Sequence, residues 1–98
     1  MAFRVRWTQS AWQEVQEAAT YIGRDSPRYA AALVDEVRSA ARSLRTFPSR
    51  GRVLPEVGDE AVRELFIKSY RLSHELRGND VVILVLIHGA RRLPGELG

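Results

Sequence analysis

The chain contains no cysteine and only one lysine, Lys68, among its 98 residues. The missing thiols exclude a disulfide framework and a thiolate metal site, and they suit a reducing, cytoplasmic setting, which is the expected location. Its two histidines, His74 and His88, stand too far apart to build a metal centre without cysteine, so no metal and no other cofactor is expected. No apolar run approaches the roughly 18 residues that a membrane span requires. The longest, VVILVLI from Val81 to Ile87, is strand-sized, and MAFRVRWTQS lacks the apolar middle of a secretory signal, so no membrane partner is expected. Internal repeats and low-complexity tracts are absent too.

What remains is an ordinary globular composition, 45% hydrophobic and 28% charged. A single domain spanning 1–98 is expected, large enough for one core and too small for a separate catalytic module. Fourteen arginines accompany the lone lysine, and the net charge is +3. The planar guanidinium fork suits phosphate and carboxylate, which points toward nucleic acid or an acidic protein partner; G- and C-rich codon usage would give the same bias.

Periodicity orders the chain. FRVRW, Phe3 to Trp7, alternates apolar and basic residues as a half-buried strand does. Ser10 and Gln13 form an S-x-x-Q capping box, after which Ala11, Val15, Ala18, Ala19 and Ile22 recur at helical spacing until Gly23. Ser26 and Pro27 open a second helix with its stripe on Leu33, Val34, Val37, Ala41 and Leu44, ended by Pro48. The short connection makes these an antiparallel hairpin with an alanine-rich seam. FPSRGRVLPEVGDEA, Phe47 to Ala61, breaks every period and reads as a long loop. VRELFI, YRLSHELR and VVILVLIH follow, separated by turn-sized intervals, as a meander.

The expected fold is therefore α+β: an N-terminal strand, a helical hairpin, then a three-stranded antiparallel meander. Together they give a four-stranded, mostly antiparallel sheet with helices on one face. The last run is apolar on both sides and belongs inside the sheet, between the third run and the first. A two-residue turn at Lys68-Ser69 pairs Ile67 with Tyr70, Leu65 with Leu72 and Arg63 with His74 on the helix face. The reverse face then carries Glu64, Phe66, Arg71, Ser73 and Glu75. A two-residue second turn would bring His88 to this reverse face beside Arg71, whereas a three-residue turn would send it toward the helices; the first is expected. Phe66, Val82, Leu84 and Leu86 would face an uncovered side, a surface that calls for a partner.

Several side chains admit two readings. Arg71 either pairs with Glu64 or Glu75 across the sheet or grips a ligand. Arg63 anchors a carboxylate of Glu56, Asp59 or Glu60. His74 reads as a hydrogen-bonded histidine at the core's edge, and His88 as the better proton carrier. Trp7 reads as core, while Trp12 lies off the main stripe, toward a partner surface.

The order of elements, with SPRYAAALVDEV, LRTFPSRGRVLPEV, VRELFI, YRL and VVILVLIHGARR at their spacings, resembles the RelE/ParE superfamily of bacterial toxins from Val5 to Arg92. The resemblance implies a type II toxin, associated with plasmid stabilisation, that forms a hetero-oligomer with a cognate antitoxin laid over the open sheet face. In the RelE-like branch a basic cluster and a C-terminal acid/base residue cut messenger RNA on the ribosome; the ParE-like branch poisons DNA gyrase. Arg71 in YRL and Arg91 in HGARR match two arginines of the RNA-cutting branch. Glu64 in RELF, however, places negative charge where that branch has lysines, and LPGELG holds no tyrosine, histidine or lysine. The ParE-like branch is expected, with Phe66, Arg71, His88, Arg91 and Arg92 binding target or partner and no catalytic residue. The alternatives are a ribosome-dependent endonuclease using Arg71, His88 and Arg91, and an inactive relative kept as an antitoxin-binding module.

Overall fold

β1 (Arg4–Trp7) alternates exposed arginines with half-buried Val5 and Trp7, as its sequence dictates, in a computed structural model that describes residues 2–89. α1 (Gln9–Gly23) follows at once. Its cap is Thr8, whose hydroxyl oxygen accepts the Ala11 N–H at 3.1 Å, so the expected box beginning at Ser10 is not used. α2 (Pro27–Ser43) starts as its sequence predicts: the Ser26 hydroxyl accepts from the Tyr29 N–H and Pro27 occupies the first turn. Ala11, Val15 and Ala18 of α1 and Ala30, Leu33, Val37 and Ala41 of α2 are buried, so the hairpin turns one small-residue stripe from each helix inward.

The remaining strands are β2 (Arg52–Val53), β3 (Val62–Ile67), β4 (Tyr70–Arg77) and β5 (Asp80–His88). They assemble in the order β1-β5-β4-β3-β2, with β1 parallel to β5 and the other neighbours antiparallel. The sheet is thus five-stranded and mixed rather than four-stranded. The added strand, β2, lies inside the segment read as loop, pairing Arg52 with Glu64 and Val53 with Arg63. Two residues are too few to show a period.

Gly51 permits that pairing. Its φ is +95°, and a Cβ there would sit 2.3 Å from the Glu64 carbonyl oxygen. Gly51→Ala is expected to destabilise by about 2 kcal/mol through left-handed strain and a backbone clash. A thermal midpoint lower by roughly 10 °C would record it, and an unchanged midpoint would mean that β2 does not depend on this close approach.

The main core lies between the helices and the sheet, where Leu33, Val37, Leu72, Val81 and Ile83 are fully enclosed. β3 and β4 pair in the expected register, Leu65 with Leu72 and Ile67 with Tyr70. The second turn is also two residues long, with Arg77 opposite Asp80. The expected consequence for His88 nevertheless fails, because Ser73 pairs with Val85 and His74 with Ile83, leaving Leu84 as an extra residue in β5. This bulge reverses the parity of everything beyond it. Leu86 pairs with Leu72 and enters the main core, while His88 lands opposite Tyr70 instead of joining Arg71 on the reverse face.

Helix α1 satisfies the backbone around the bulge. The Thr8 hydroxyl donates toward the Ile83 and Leu84 carbonyls at 2.9 and 3.1 Å, and Glu14 Oε1 accepts the Leu86 N–H at 3.0 Å. Burial, opposed by that bond, raises the Glu14 carboxyl above its ordinary pKa. The reverse face is not bare either. Leu54 and Val62 are buried there with Val57, Leu84, Val85 and Ile87 packed against them. The segment between β2 and β3 folds back as a cover, which corrects the picture of Val82, Leu84 and Leu86 together facing an open side.

Candidate functional site

Arg71 is the second residue of β4, opposite Phe66 of β3, with its side chain on the reverse face. Covered there, it is only 6% exposed. Its Nε donates to Glu64 Oε1 at 2.6 Å, and its two terminal nitrogens grip Glu56 as a fork, Nη1 to Oε2 at 2.9 Å and Nη2 to Oε1 at 2.7 Å. Glu64, 1% exposed, turns its other oxygen to Arg52 Nε at 2.5 Å. The Arg52 guanidinium in turn lies over the ring of Phe66, 4.9 Å from its centroid. Charge alternates through Glu56, Arg71, Glu64 and Arg52, and Phe66, 59% exposed, ends the series at the surface.

Local sequence aims each member. Glu64 and Arg71 share a face because the Lys68-Ser69 turn sets the β3–β4 register, with Lys68 taking the left-handed conformation at φ 54°. Glu56 comes from a turn in which the Val57 and Gly58 N–H groups bond the Leu54 carbonyl, while buried Leu54 pins the segment to the sheet. Arg63 clamps the same segment, but through the carbonyls of Glu60 and Gly51 and not through the expected carboxylates. The carboxylates of Glu56 foremost, then of Glu64, hold the Arg71 proton above the usual guanidinium range against the opposing cost of burial.

The other expected residues fall elsewhere. His88 is exposed and meets Tyr70 edge-on at 5.6 Å, on the face opposite to Arg71. Arg91 and Arg92 lie outside the described residues. Trp12 packs edge-on against Trp7 at 5.4 Å. Among the described residues no group of three or more His, Asp or Glu side chains is placed to hold a metal ion, and no helix is long and apolar enough to cross a membrane. Sequence reasoning missed Glu56 as a partner of Arg71, and Arg52 altogether. The signal for Glu64 was present in the strand register; none in the sequence aims Glu56 at Arg71.

His74 is fully buried, as its place on the helix face implies. Its Nε2–H donates to the Pro48 carbonyl at 3.2 Å, and Nδ1 has no partner among the described residues. Burial lowers its pKa, aided by the nearby Arg63 and Arg50 charges and opposed by the Pro48 bond. Below about pH 6.5 the unfolded chain therefore takes up a proton that the folded chain refuses. Stability is expected to fall as pH drops from neutrality through that value toward the lower, folded-state pKa. His74→Gln, which keeps a donor for Pro48 and cannot titrate, should flatten the dependence of unfolding free energy on pH. An equal slope in the variant would assign the effect to other groups.

Comparison with known proteins places this geometry. Residues 5–93 match the family described as ParE toxin of type II toxin-antitoxin system, parDE. The chain is 32% identical over 100 residues to "Putative toxin Y4kP" of Sinorhizobium fredii (strain NBRC 101917 / NGR234), with 96% of both proteins covered. Its fold is similar to a chain of the chromosomal ParDE system from P. aeruginosa, with a TM-score of 0.71 at 18% identity, covering 89% of this chain and 96% of that one. It is also similar to a chain of the toxin-antitoxin complex RelBE2 from Mycobacterium tuberculosis, with a TM-score of 0.58 at 25% identity and coverage of 90% and 99%.

Proposed function

Since the chain belongs to the ParE toxin family of type II toxin–antitoxin systems, we propose that it arrests growth by binding DNA gyrase rather than by cutting RNA. A cognate antitoxin neutralises it in a cytoplasmic hetero-oligomer, and plasmid stabilisation is the corresponding role. The observation that carries this reading is the fork of Arg71 on Glu56, closed by Glu64. Phosphodiester cleavage without a metal needs cations facing the phosphate and a proton carrier within reach of the same atoms. Here the central guanidinium faces two carboxylates, and His88 lies across the sheet from it.

In this reading Arg71 is a positioning residue. It fixes Glu64, which fixes Arg52 over Phe66, and that cation–aromatic pair forms the contact surface on the reverse face, which His88, on the other side of the sheet, does not share. The antitoxin covers the part of the reverse face around Phe66 that the chain's own loop leaves open, a partner supported by the toxin–antitoxin complexes among the structural neighbours. Induction in cells tests the assignment through primer extension on messenger RNA and plasmid topology in the same culture. Arrest with intact transcripts and relaxed or broken DNA is expected. Cuts inside codons would assign the ribosome and messenger RNA as target instead, and no arrest would leave an inactive antitoxin-binding relative.

A further inference from the structure

We propose that His74 is a latch that senses pH: its neutral ring holds the segment from Thr46 to Val53 against the sheet, and a second ring proton releases that segment, with β2, while the core stays folded. The latch is independent of which cellular target is correct.

A carbonyl oxygen can only accept, so the 3.2 Å bond to Pro48 places the neutral ring's single proton on Nε2 and leaves Nδ1 as a bare lone pair. His74 is 0% exposed. A proton added at Nδ1 would therefore create a cation and a donor, both buried and both without a partner among the described residues. The surrounding charges have the wrong sign to help. β3 sets Arg63 opposite His74 and the segment itself brings Arg50, while β5 sets uncharged Ile83 opposite it and no carboxylate of the described residues pairs with it.

The segment that the ring holds is lightly tied. Thr46, Phe47, Ser49 and Arg50 are exposed, so little apolar contact is lost when it lifts. β2 is two residues long and pairs with β3 alone. Two further ties, Arg50 Nη1 to the Ser43 hydroxyl at 2.7 Å and Arg63 Nη1 to the Gly51 carbonyl at 3.1 Å, lie at the exposed surface. Burial foremost, with Arg63 and Arg50, lowers the pKa of the enclosed ring against the Pro48 bond, whereas a ring freed to water returns to about 6.5. The open form thus takes the proton first, and its share grows about tenfold per pH unit below that value until the enclosed ring itself titrates. Release would lift Arg52 from Glu64 and Phe66, so acid would dismantle the contact surface; that consequence rests on the gyrase reading, and the latch does not.

Amide hydrogen exchange of the whole chain across neutral and mildly acidic pH, expressed as protection corrected for the intrinsic rate, tests the latch without any target. The Arg50 and Leu54 amides, bonded to the Phe47 and Val62 carbonyls, report the segment, and the amides of β4 and β5 report the core. Segment protection is expected to stay below that of the core, to fall about tenfold per pH unit below about 6.5, and to level off at the midpoint of the His74 ring followed by NMR. His74→Gln, which keeps a donor for Pro48 and cannot titrate, should hold segment protection constant. Circular dichroism checks that this variant is folded; if it is not, the parent's exchange profile set against its ring titration carries the test. Segment protection equal to that of the core at every pH would mean that the two open only together and would overturn the proposal. So would segment protection that does not fall with pH, an unchanged fall in His74→Gln, or a ring that titrates at or above about 6.5 in the folded chain.

Discussion

Arg71→Ala is expected to destabilise the protein by about 3–5 kcal/mol, the usual consequence of removing one partner from a buried ion pair. The cost comes from what stays behind. The side chains of Glu64 and Glu56 are 0% and 8% exposed, so two carboxylates lose their central cation without gaining water in exchange. Arg52 can hold one oxygen of Glu64, but its side chain is 55% exposed and cannot reproduce the fork on Glu56. Arg52→Ala should therefore cost no more than about 1 kcal/mol. Arg71→Lys would not rescue, because an ammonium is a point charge where the site requires a planar fork spanning two carboxylates.

Urea denaturation reads this directly as a lower midpoint with an unchanged slope. Against a total stability of about 5–15 kcal/mol, a loss of this size leaves a large share of the chain unfolded near physiological temperature. Toxicity of Arg71→Ala should then fall in step with its folded fraction. A variant that stays within about 1 kcal/mol of the parent yet is inactive would separate Arg71 from the fold and return it to phosphate binding.

Contacts set by neighbouring residues were legible in the sequence. Ser26 and Pro27 announce α2 because a cap needs an oxygen and the first turn tolerates a residue without N–H. The Ile67–Tyr70 and Leu65–Leu72 pairs follow from a two-residue turn by counting. Glu64 beside Arg71 follows from the same count. Contacts that depend on how distant segments settle were not legible. Thr8 outcompetes Ser10 as cap because its hydroxyl also reaches carbonyls of β5, far along the chain. Glu56 reaches Arg71 because Leu54 buries itself against Val62, Val85 and Ile87, and nothing within VLPEVG says which arginine its carboxylate will find.

The bulge at Leu84 is the clearest separation between these two kinds of contact, and it yields the second large prediction. Uninterrupted alternation would put Leu84 and Leu86 on one face and give them similar roles. With the extra residue, Leu86 is 4% exposed and packs in the main core opposite Leu72, whereas Leu84 is half-buried against the smaller cluster behind the sheet. Leu86→Ala is thus expected to cost about 2–5 kcal/mol, since it opens a cavity where helices and sheet meet. Leu84→Ala should cost about 1 kcal/mol, because a half-buried side chain loses less contact and its site can relax. Side-by-side urea midpoints decide the matter. Equal losses at the two positions would mean a strand without the bulge, which would carry His88 back to the face of Arg71 and restore the proton carrier to the guanidinium that the endonuclease chemistry requires.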